Sequence, residues 1–212
     1  MKAPLLIYGA GGLGRELLSL LNACSDFEVT GFVDDTVLKD TVVKGIKVLG
    51  GIEVIRKAVK PVNVILAFGD PAVKAARVNA LAQYDVRYPV IIHPSAVLQD
   101  ASAITIGVGS VICAGTVMTT DIIVGEHVLI NLNCTVGHDS RIGSRASLMP
   151  GVHVGGEVVI GDEVLVGAGT TILNRLNLGA RCKIGMGSVV IRDIESGDVV
   201  AGVPARRIKS EK

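Results

Sequence analysis

The stretch TVGHDSRIGSRASLMPGVHVGGEVVIGDEVLVGAG, residues 135–169, repeats one pattern every six residues. The same pattern runs without an insertion through fifteen aliphatic positions, and the residue after each is often glycine. The residue two positions before each is usually small. The fifteen positions are Ile106, Ile112, Met118, Val124, Ile130, Val136, Ile142, Leu148, Val154, Ile160, Val166, Ile172, Leu178, Ile184 and Val190.

A period of six is neither the period of two of a β-strand nor the period of about 3.6 of an α-helix. It fits a triangular prism in which each hexad supplies one short strand and one corner, so that three hexads complete a coil. The aliphatic side chain points inward, the small residue fits near the corner, and glycine tolerates the turn. The sequence therefore predicts a parallel β-helix of about five coils stacked at roughly 4.8 Å.

A solenoid of this kind can also serve a purely structural purpose, as in ice-binding or scaffold proteins. Such proteins favour a flat array of identical outward side chains, commonly threonine. Here the outward positions vary among Gly, Asp, His, Asn, Arg and Glu. This variety favours a functional solenoid over a structural one.

The first ninety residues alternate predicted strands and helices, which indicates a small parallel sheet with helices on its faces. The apolar strand Pro4–Tyr8 leads into Gly9-x-Gly11-x-x-Gly14 and a helical run over Leu13–Ala23, and a second strand ends in Asp34-Asp35. A glycine loop between a strand and a helix lets the backbone approach a phosphate. We expect a Rossmann-like unit over residues 1–92 and the β-helix with a C-terminal tail over residues 93–212.

Ligands of open α/β sheets bind at the carboxyl edge of the strands. A nucleotide or nucleotide sugar is the ligand we expect, because the unit has room for one mononucleotide-binding half; NAD and an empty turn remain alternatives. Asp70, before Pro71, is expected to cap a helix instead. The candidate substrate-binding residues at this edge are Gly9, Gly11, Gly12, Gly14, Asp34, Asp35 and Gly69.

Acyl transfer needs a base with a pKa near neutrality and a donor for the developing oxyanion. His138 is the candidate base because the neighbouring Asp139 can orient its imidazole. Gly156 lies one coil later and is the candidate oxyanion donor. His127 and His153 stand alone at outward or corner positions, where we expect them to be solvated.

The whole chain resembles the sialic acid O-acetyltransferase / UDP-amino-sugar N-acetyltransferase family of bacterial glycan biosynthesis. The motifs that carry the resemblance are IYGAGGLGRE, GFVDD, LAFGD, IIHPSAVL, NCTVGHDSRIG, MPGVHVGGEVVIGDEVLVGAG and VVAGVPARRI. The resemblance implies a left-handed β-helix, a homotrimer with active sites between neighbouring prisms, and acetyl-CoA as the acyl donor. It also implies that His138 is the general base with Asp139 beside it, and that Gly156 binds the thioester carbonyl.

The resemblance further implies that acetyl-CoA contacts Gly156, Gly167 and Ala168 and, near its far end, Pro204 and Arg206. One position departs from the family pattern, because Ser147 stands where many members carry a second histidine. The acceptor atom (nitrogen or oxygen), the sugar and its carrier (UDP, GDP or dTDP) stay open. A non-catalytic nucleotide-sugar-binding trimer and an NAD-dependent oxidoreductase are the alternative functions.

Composition excludes several classes of protein. The formal net charge of +1 and the absence of a long basic run give no reason to expect nucleic acid. No apolar run approaches about 18 residues, so no membrane insertion is expected. The N-terminus lacks the pattern of a signal peptide, and the four cysteines form no CxxC pair, so we expect a cytoplasmic protein without a metal site.

Overall fold

The computed structural model describes residues 2–24, 26–58 and 61–210, so Met1 and the last two residues of the expected tail lie outside the described residues. The chain divides into two units, Met1–Pro94 and Ser95–Lys212. Each unit is built differently, and each is described by itself.

The N-terminal unit contains a parallel sheet, an antiparallel hairpin and three helices. The strands are β1 Ala3–Tyr8, β2 Phe27–Val33, β3 Val42–Val43, β4 Ile46–Lys47, β5 Val62–Leu66, β6 Val86–Arg87 and β7 Ile91–Ile92; the helices are α1 Gly12–Ala23, α2 Glu53–Arg56 and α3 Pro71–Leu81. The parallel sheet has the strand order β2-β1-β5-β6, and β3 and β4 form the hairpin. The alternating strand and helix pattern is confirmed, and β1 and α1 begin one residue before their predicted starts.

The central strand β1 is buried because its residues Leu5 to Tyr8 form an uninterrupted apolar run between two parallel neighbours. Helix α1 buries Leu17 and Leu21 on its apolar face. Helix α3 begins at Pro71, and the Asp70 side chain accepts hydrogen bonds from the amides of Ala72 and Val73, as predicted for a helix cap. The glycine loop and the ends of β1, β2 and β5 therefore share one edge of the sheet.

The C-terminal unit is a parallel β-helix with three faces, consistent with the left-handed form that the resemblance implies. The first face contains Val111–Ile112, Leu129–Ile130, Ser147–Leu148, Leu165–Val166, Lys183–Ile184 and Asp198–Ala201, with Arg206–Ser210 antiparallel to the last. The second face contains Val97–Leu98, Val117–Met118, Thr135–Val136, His153–Val154, Thr171–Ile172 and Val189–Val190. The third face contains Ile104–Ile106, Ile122–Val124, Arg141–Ile142, Val159–Ile160 and Asn177–Leu178.

Strands one coil apart pair in parallel register, as Thr135 does with His153 and Val136 with Val154. The solenoid is longer than the predicted run of fifteen hexads, because the second face has six strands. The first of them, Val97–Leu98, precedes a short 3-10 turn at Ala101–Ala103 that breaks the period of six. The strict six-residue period of the sequence therefore did not reveal this first coil.

The prism core consists of the inward aliphatic side chains, all of them buried from Ile112 to Val190. Small hydroxyl residues near the corners are also buried, and their oxygen atoms are hydrogen bonded. Ser140 Oγ, for example, donates to the carbonyl of Gly155 at 3.0 Å and accepts from the amide of Val158 at 3.2 Å. These bonds satisfy the buried hydroxyls and tie successive coils together.

The expectation of a solvated His127 was wrong, because its side chain is 4% exposed. Its ring lies over Gly109, one coil below, and a Cβ atom at Gly109 would overlap it. Because Gly109 has no side chain, there is space for the His127 ring to be buried against it. His153 is exposed as expected, and its Nδ1 lies 2.9 Å from Thr135 Oγ1.

Candidate active site

His138 lies at the corner between the second and third faces, directly after the strand Thr135–Val136. Asp139 has a positive φ of 59°, and its Oδ2 lies 2.8 Å from His138 Nδ1. A hydrogen bond to a carboxylate holds the ring proton on Nδ1 and leaves Nε2 able to accept a proton. Both side chains are more than half exposed, at 56% and 59%, so an incoming substrate can reach them.

Gly156 stacks one coil above His138. A Cβ atom at Gly156 would lie 2.6 Å from His138 Nε2, which shows that the imidazole occupies the space a side chain would fill. The amide of Glu157 donates to the carbonyl of His138 at 2.7 Å, and the carbonyl of Gly156 accepts from the amide of Arg175 at 3.0 Å. These two bonds fix the orientation of the peptide groups around Gly156.

The amide of Gly156 differs from equivalent amides at the corner between the third and first faces. There the amide of Glu126 donates to Ser144 Oγ at 3.1 Å, and the amide of Ser144 donates to Asp162 Oδ1 at 2.8 Å. Within residues 2–24, 26–58 and 61–210, the amide of Gly156 has no hydrogen-bond acceptor. It is therefore an available donor beside a proton acceptor.

Glu157, next to Gly156, forms an ion pair with Arg175 one coil above, with 2.9 Å between Arg175 Nε and Glu157 Oε1. A matching pair at another corner joins Arg145 and Glu163, with 3.2 Å between Arg145 Nε and Glu163 Oε1. The Arg175–Glu157 pair is exposed, and an exposed ion pair contributes little to stability. At the His138 corner the pair keeps the Glu157 carboxylate engaged beside the candidate base.

The candidate donor-binding residues lie further along the prism. Gly167 and Ala168 form a corner beneath Met186, which is 79% exposed, and the carbonyl of Ala168 accepts from the amide of Gly187 at 2.8 Å. Pro204 is exposed at the end of the solenoid.

Arg206 lines a cleft of about 200 Å³ at the C-terminal end of the prism. Its Nη1 donates to the carbonyl of Ala205 at 3.1 Å. Arg207, on the same strand, pairs with Asp198 at 3.1 Å, and Arg192 also lines the cleft. This end of the prism can therefore offer guanidinium groups to an anionic ligand.

The three cysteines of the prism are buried, and they form no disulfide bond within the described residues. Burial raises the pKa of the Cys134 thiol to about 11 and that of Cys182 to about 12. A thiol with so high a pKa is almost entirely protonated near neutral pH and is a poor nucleophile. Ser147, at the position of the family's second histidine, is also fully buried.

The glycine loop of the N-terminal unit contains two kinds of glycine. Gly9 has a φ of +113° and Gly14 packs against the carbonyl oxygen of Gly9, so both are required by the turn itself. Gly11 and Gly12 face open space, with no atom within 4 Å of a Cβ built on either. The open pair, at the start of α1, is where a phosphate can approach the backbone. Gly69 follows β5 at the same edge.

Asp34 is engaged by donors of its own chain. Its Oδ2 accepts from the amide of Ala10 at 2.8 Å, and its Oδ1 accepts from the amides of Thr36 and Val37 and from Thr36 Oγ1. Burial of the carboxyl works in the opposite direction, yet these hydrogen bonds lower the pKa of Asp34. Asp34 therefore connects the glycine loop to the end of β2.

We expect Asp34→Asn to loosen this loop, because a carboxylate accepting several hydrogen bonds is replaced by an amide that accepts fewer. The loss of free energy of unfolding is about 1–2 kcal/mol. A lowered pKa means that Asp34 stabilises the folded state above the ordinary carboxyl pKa of about 3.9, and that this contribution disappears as the pH falls through the lowered value. Thermal unfolding at pH 7 and pH 3 measures both effects; equal stability of variant and wild type at pH 7 contradicts this role.

Asp35 is engaged as well. Its Oδ1 accepts from the amide of Ile52 at 2.8 Å, and its Oδ2 accepts from the Tyr8 hydroxyl at 2.6 Å and pairs with Arg77 Nη1 at 3.0 Å. Burial and the bond to Asp35 raise the pKa of Tyr8, which keeps its hydroxyl protonated. Chain donors therefore contact both oxygen atoms of the Asp35 carboxylate.

Arg77, Tyr8 and Phe68 were not identified from the sequence. The guanidinium carbon of Arg77 lies 5.5 Å from the centre of the Tyr8 ring and 5.8 Å from that of Phe68, and the two rings meet edge to face. Together with Asp34, Asp35 and Thr36 they line a cleft of about 100 Å³. An aromatic residue at the end of both β1 and β5 is the sequence signal that could have indicated this cleft.

The described part of the chain contains neither a metal-binding cluster nor a membrane-spanning helix. No group of three or more His, Cys, Asp or Glu side chains there could hold a metal ion. No helix among those residues has the length and apolarity needed to cross a membrane.

Three family models match the chain. The PglD N-terminal domain matches residues 4–81, the bacterial transferase hexapeptide model (six repeats) matches residues 139–174, and the hexapeptide repeat of succinyl-transferase matches residues 157–192. The first match covers the sheet and glycine loop, and the other two cover the solenoid around the His138 corner.

Relatives of known structure or activity match over most of the chain. GDP-perosamine N-acetyltransferase from Escherichia coli O157:H7 is 32% identical over 155 residues, which are 71% of this chain and 69% of that protein. The acetyltransferase domain of PglB from Neisseria gonorrhoeae FA1090, also solved with acetyl coenzyme A, has a TM-score of 0.89 and 27% identity, and the match covers 98% of this chain and 100% of that one.

PerB from Caulobacter crescentus, solved in complex with CoA and GDP-perosamine, has a TM-score of 0.89 and 27% identity over 98% of both chains. The similarity thus extends over both units, in sequence and in structure. The chain therefore belongs to the family of hexapeptide-repeat sugar acetyltransferases with a PglD-type N-terminal domain, which transfer acetyl groups from acetyl-CoA to nucleotide-linked amino sugars.

Proposed function

We propose that this chain N-acetylates the amino group of a sugar linked to a nucleoside diphosphate, with His138 as the general base. The observation that carries the proposal is the position of His138, which has Asp139 Oδ2 2.8 Å from its Nδ1 and its ring packed against Gly156. The amide of Gly156 has no acceptor in the described part of the chain. Acyl transfer from a thioester requires a proton acceptor and an oxyanion donor that can both reach the reacting atoms.

In the proposed reaction the neutral sugar amine attacks the thioester carbonyl carbon, and a C–N bond forms. His138 Nε2 takes the proton that the amine loses, while the amide of Gly156 donates a hydrogen bond to the carbonyl oxygen as it becomes negative. The C–S bond then breaks as the carbonyl re-forms, and the CoA sulfur leaves as a thiolate that is protonated to the thiol. Asp139 stabilises the imidazolium through the Nδ1 proton.

Transfer is direct, in a complex that holds both substrates. The cysteine nearest this corner in sequence, Cys134, is fully buried with a raised pKa, which argues against a covalent acyl-enzyme. Among relatives, PerB was solved with CoA and GDP-perosamine together, which supports a ternary complex.

The remaining site residues divide between the two substrates. We assign the acetyl-CoA path to Gly156, Gly167, Ala168, Pro204 and Arg206, on the basis of the family resemblance and the guanidinium groups at the C-terminal cleft. The nucleotide part of the acceptor lies against Gly11 and Gly12, whose backbone faces open space, and near Gly69, with Gly9, Gly14, Asp34 and Asp35 shaping the loop.

The resemblance also supports a homotrimer, with the His138 corner facing a neighbouring prism. Large apolar side chains exposed on the prism, Leu132, Leu173 and Met186 among them, fit an assembly that covers them. Use of acetyl-CoA supports a cytoplasmic location. Sedimentation of the purified chain tests the trimer, and a monomer at micromolar concentration contradicts it.

Release of CoA thiol from acetyl-CoA tests the function. The acceptor panel contains amino sugars linked to GDP, UDP and dTDP, and the same nucleotide sugars with a hydroxyl in place of the amine. We expect rapid release with at least one amino sugar and none above background with its hydroxyl counterpart. If none of the acceptors in the panel supports release of CoA thiol, acetyl transfer is contradicted and a non-catalytic nucleotide-sugar-binding scaffold is favoured.

A further inference from the structure

The cleft at the ends of β1, β2 and β5 offers donors more than acceptors. Both carboxylates that line it are occupied by chain donors: Asp34 by four hydrogen bonds, and Asp35 by the Ile52 amide, the Tyr8 hydroxyl and Arg77. A carboxylate so engaged has little capacity left for the N–H groups of a ligand. Recognition in this cleft therefore depends on the group that still has hydrogen-bond capacity.

That group is Arg77. A guanidinium has five N–H donors in a fixed fork. Nη1 of Arg77 pairs with Asp35 Oδ2, and Nε is buried without an acceptor within the described residues, so the Nη groups are the part of the fork that a ligand can reach. The side chain is 34% exposed, so part of the fork faces the cleft. The Asp35 carboxylate and the two aromatic rings hold it in place from one side.

A planar fork of donors beside aromatic rings suits one kind of nucleobase best. Guanine presents two adjacent acceptors, O6 and N7, which an arginine binds bidentately. Uracil and thymine have a donor, N3–H, between their two carbonyl groups, so they offer no adjacent acceptor pair to the fork. A base lying against Phe68 or the guanidinium plane also gains stacking energy whatever its identity.

From this geometry we propose that Arg77 is a specificity-determining residue that reads guanine, and that the nucleotide carrier of the acceptor is guanosine diphosphate. The proposal rests on the proposed function, since it names the substrate class of the same site. It also agrees with the GDP-linked sugar that two relatives act on or bind.

Arg77 could also act only as a structural clamp between α3 and the end of β2, and Arg56 provides the matched control for that role. Arg56 lies 5.7 Å from the centre of the Tyr84 ring, pairs with Glu53 at 2.7 Å and also has a buried Nε without an acceptor in the described part of the chain. It does not line the cleft. We expect replacement of either arginine to disturb packing to a similar degree. Of the two, Arg77 lines the cleft in which we place the nucleobase.

Calorimetric titration of the full chain with GDP, UDP and dTDP tests the proposal. We expect GDP to bind about tenfold or more tightly than UDP or dTDP, the range given by one bidentate arginine contact. In Arg77→Lys, which keeps the charge and can still pair with Asp35, the preference falls to about twofold or less, whereas Arg56→Lys keeps it. Thermal unfolding and acetyl-CoA binding of both variants establish that they are folded.

The outcomes separate this proposal from the function on which it rests. UDP or dTDP binding as tightly as GDP overturns the guanine assignment, while acetyl transfer to an amino sugar on another nucleotide leaves the function standing. An unchanged preference in folded Arg77→Lys assigns Arg77 to the clamp role and overturns its role in specificity. Absence of binding by all three nucleotides contradicts the nucleotide substrate itself, and the guanine assignment with it.

Discussion

Replacement of His138 by alanine is expected to lower kcat for acetyl transfer by a factor of about 10²–10⁴, the usual contribution of general base catalysis. The substrate amine must lose a proton as it attacks, and the His138 ring, oriented by Asp139 and packed against Gly156, is the proton acceptor. The KM values are expected to change much less, because the imidazole acts on the transferred proton. Steady-state release of CoA thiol measures both quantities.

His153→Ala is the matched control for this variant. His153 is also exposed, lies on the coil above and is hydrogen bonded to Thr135, but it precedes the corner and faces outward from the second face. Its replacement should leave kcat within about twofold of wild type, since exposed side chains away from special contacts have small effects. Full activity in His138→Ala would reject the general-base mechanism, although acetyl transfer would stand.

Gly156→Ala is expected to be the second severe variant. The added Cβ would lie 2.6 Å from His138 Nε2, closer than carbon and nitrogen atoms can approach, so the imidazole must leave its position. The methyl group also obstructs the approach of a thioester oxygen to the amide. A loss of one oxyanion donor alone lowers kcat by about 10²–10³, and displacement of the base adds to it.

The fold should tolerate this alanine, because Gly156 does not have a positive φ and the equivalent corner positions carry Ala168 and Ala180. The melting temperature is therefore expected to stay within a few degrees of wild type while activity is lost. Ala180→Ser, at the equivalent position of another corner, is the control and should keep its activity. A Gly156→Ala variant with wild-type kcat would contradict the need for this position of the His138 ring and the expected obstruction of the amide.

The strict hexad pattern was sufficient to predict the prism, since each inward aliphatic from Ile112 to Val190 is buried. The ends of the solenoid could not be predicted in the same way. The turn at Ala101–Ala103 inserts residues between the first coil and the rest, and Leu178 bridges to Ile194 instead of to a residue 18 positions later. A period is lost wherever one coil is longer or shorter than its neighbours.

For a similar reason, the part of the candidate site on the prism could be predicted from the sequence, and the contacts in the N-terminal cleft could not. Stacking of Gly156 on His138 follows from the repeat, because residues one coil apart are neighbours. The cleft residue Arg77 has no such regular relation to Asp35, and its contact depends on the packing of α3 against the sheet. The position of Asp34-Asp35 at the sheet edge was predicted, but the hydrogen bonds that chain donors make to both carboxylates depend on loop conformations that no local pattern specifies.

Mass spectrometry of a complete reaction tests the central claim most directly. The chain is incubated with acetyl-CoA and a GDP-linked amino sugar. The masses of the nucleotide sugar and of the intact protein are measured at successive times. We predict one acetyl group on the sugar amine for each CoA released, and no acetylated protein at any time. Release of CoA without an acetylated nucleotide sugar, or acetyl accumulating on a cysteine of the chain, would contradict direct transfer at the His138 corner.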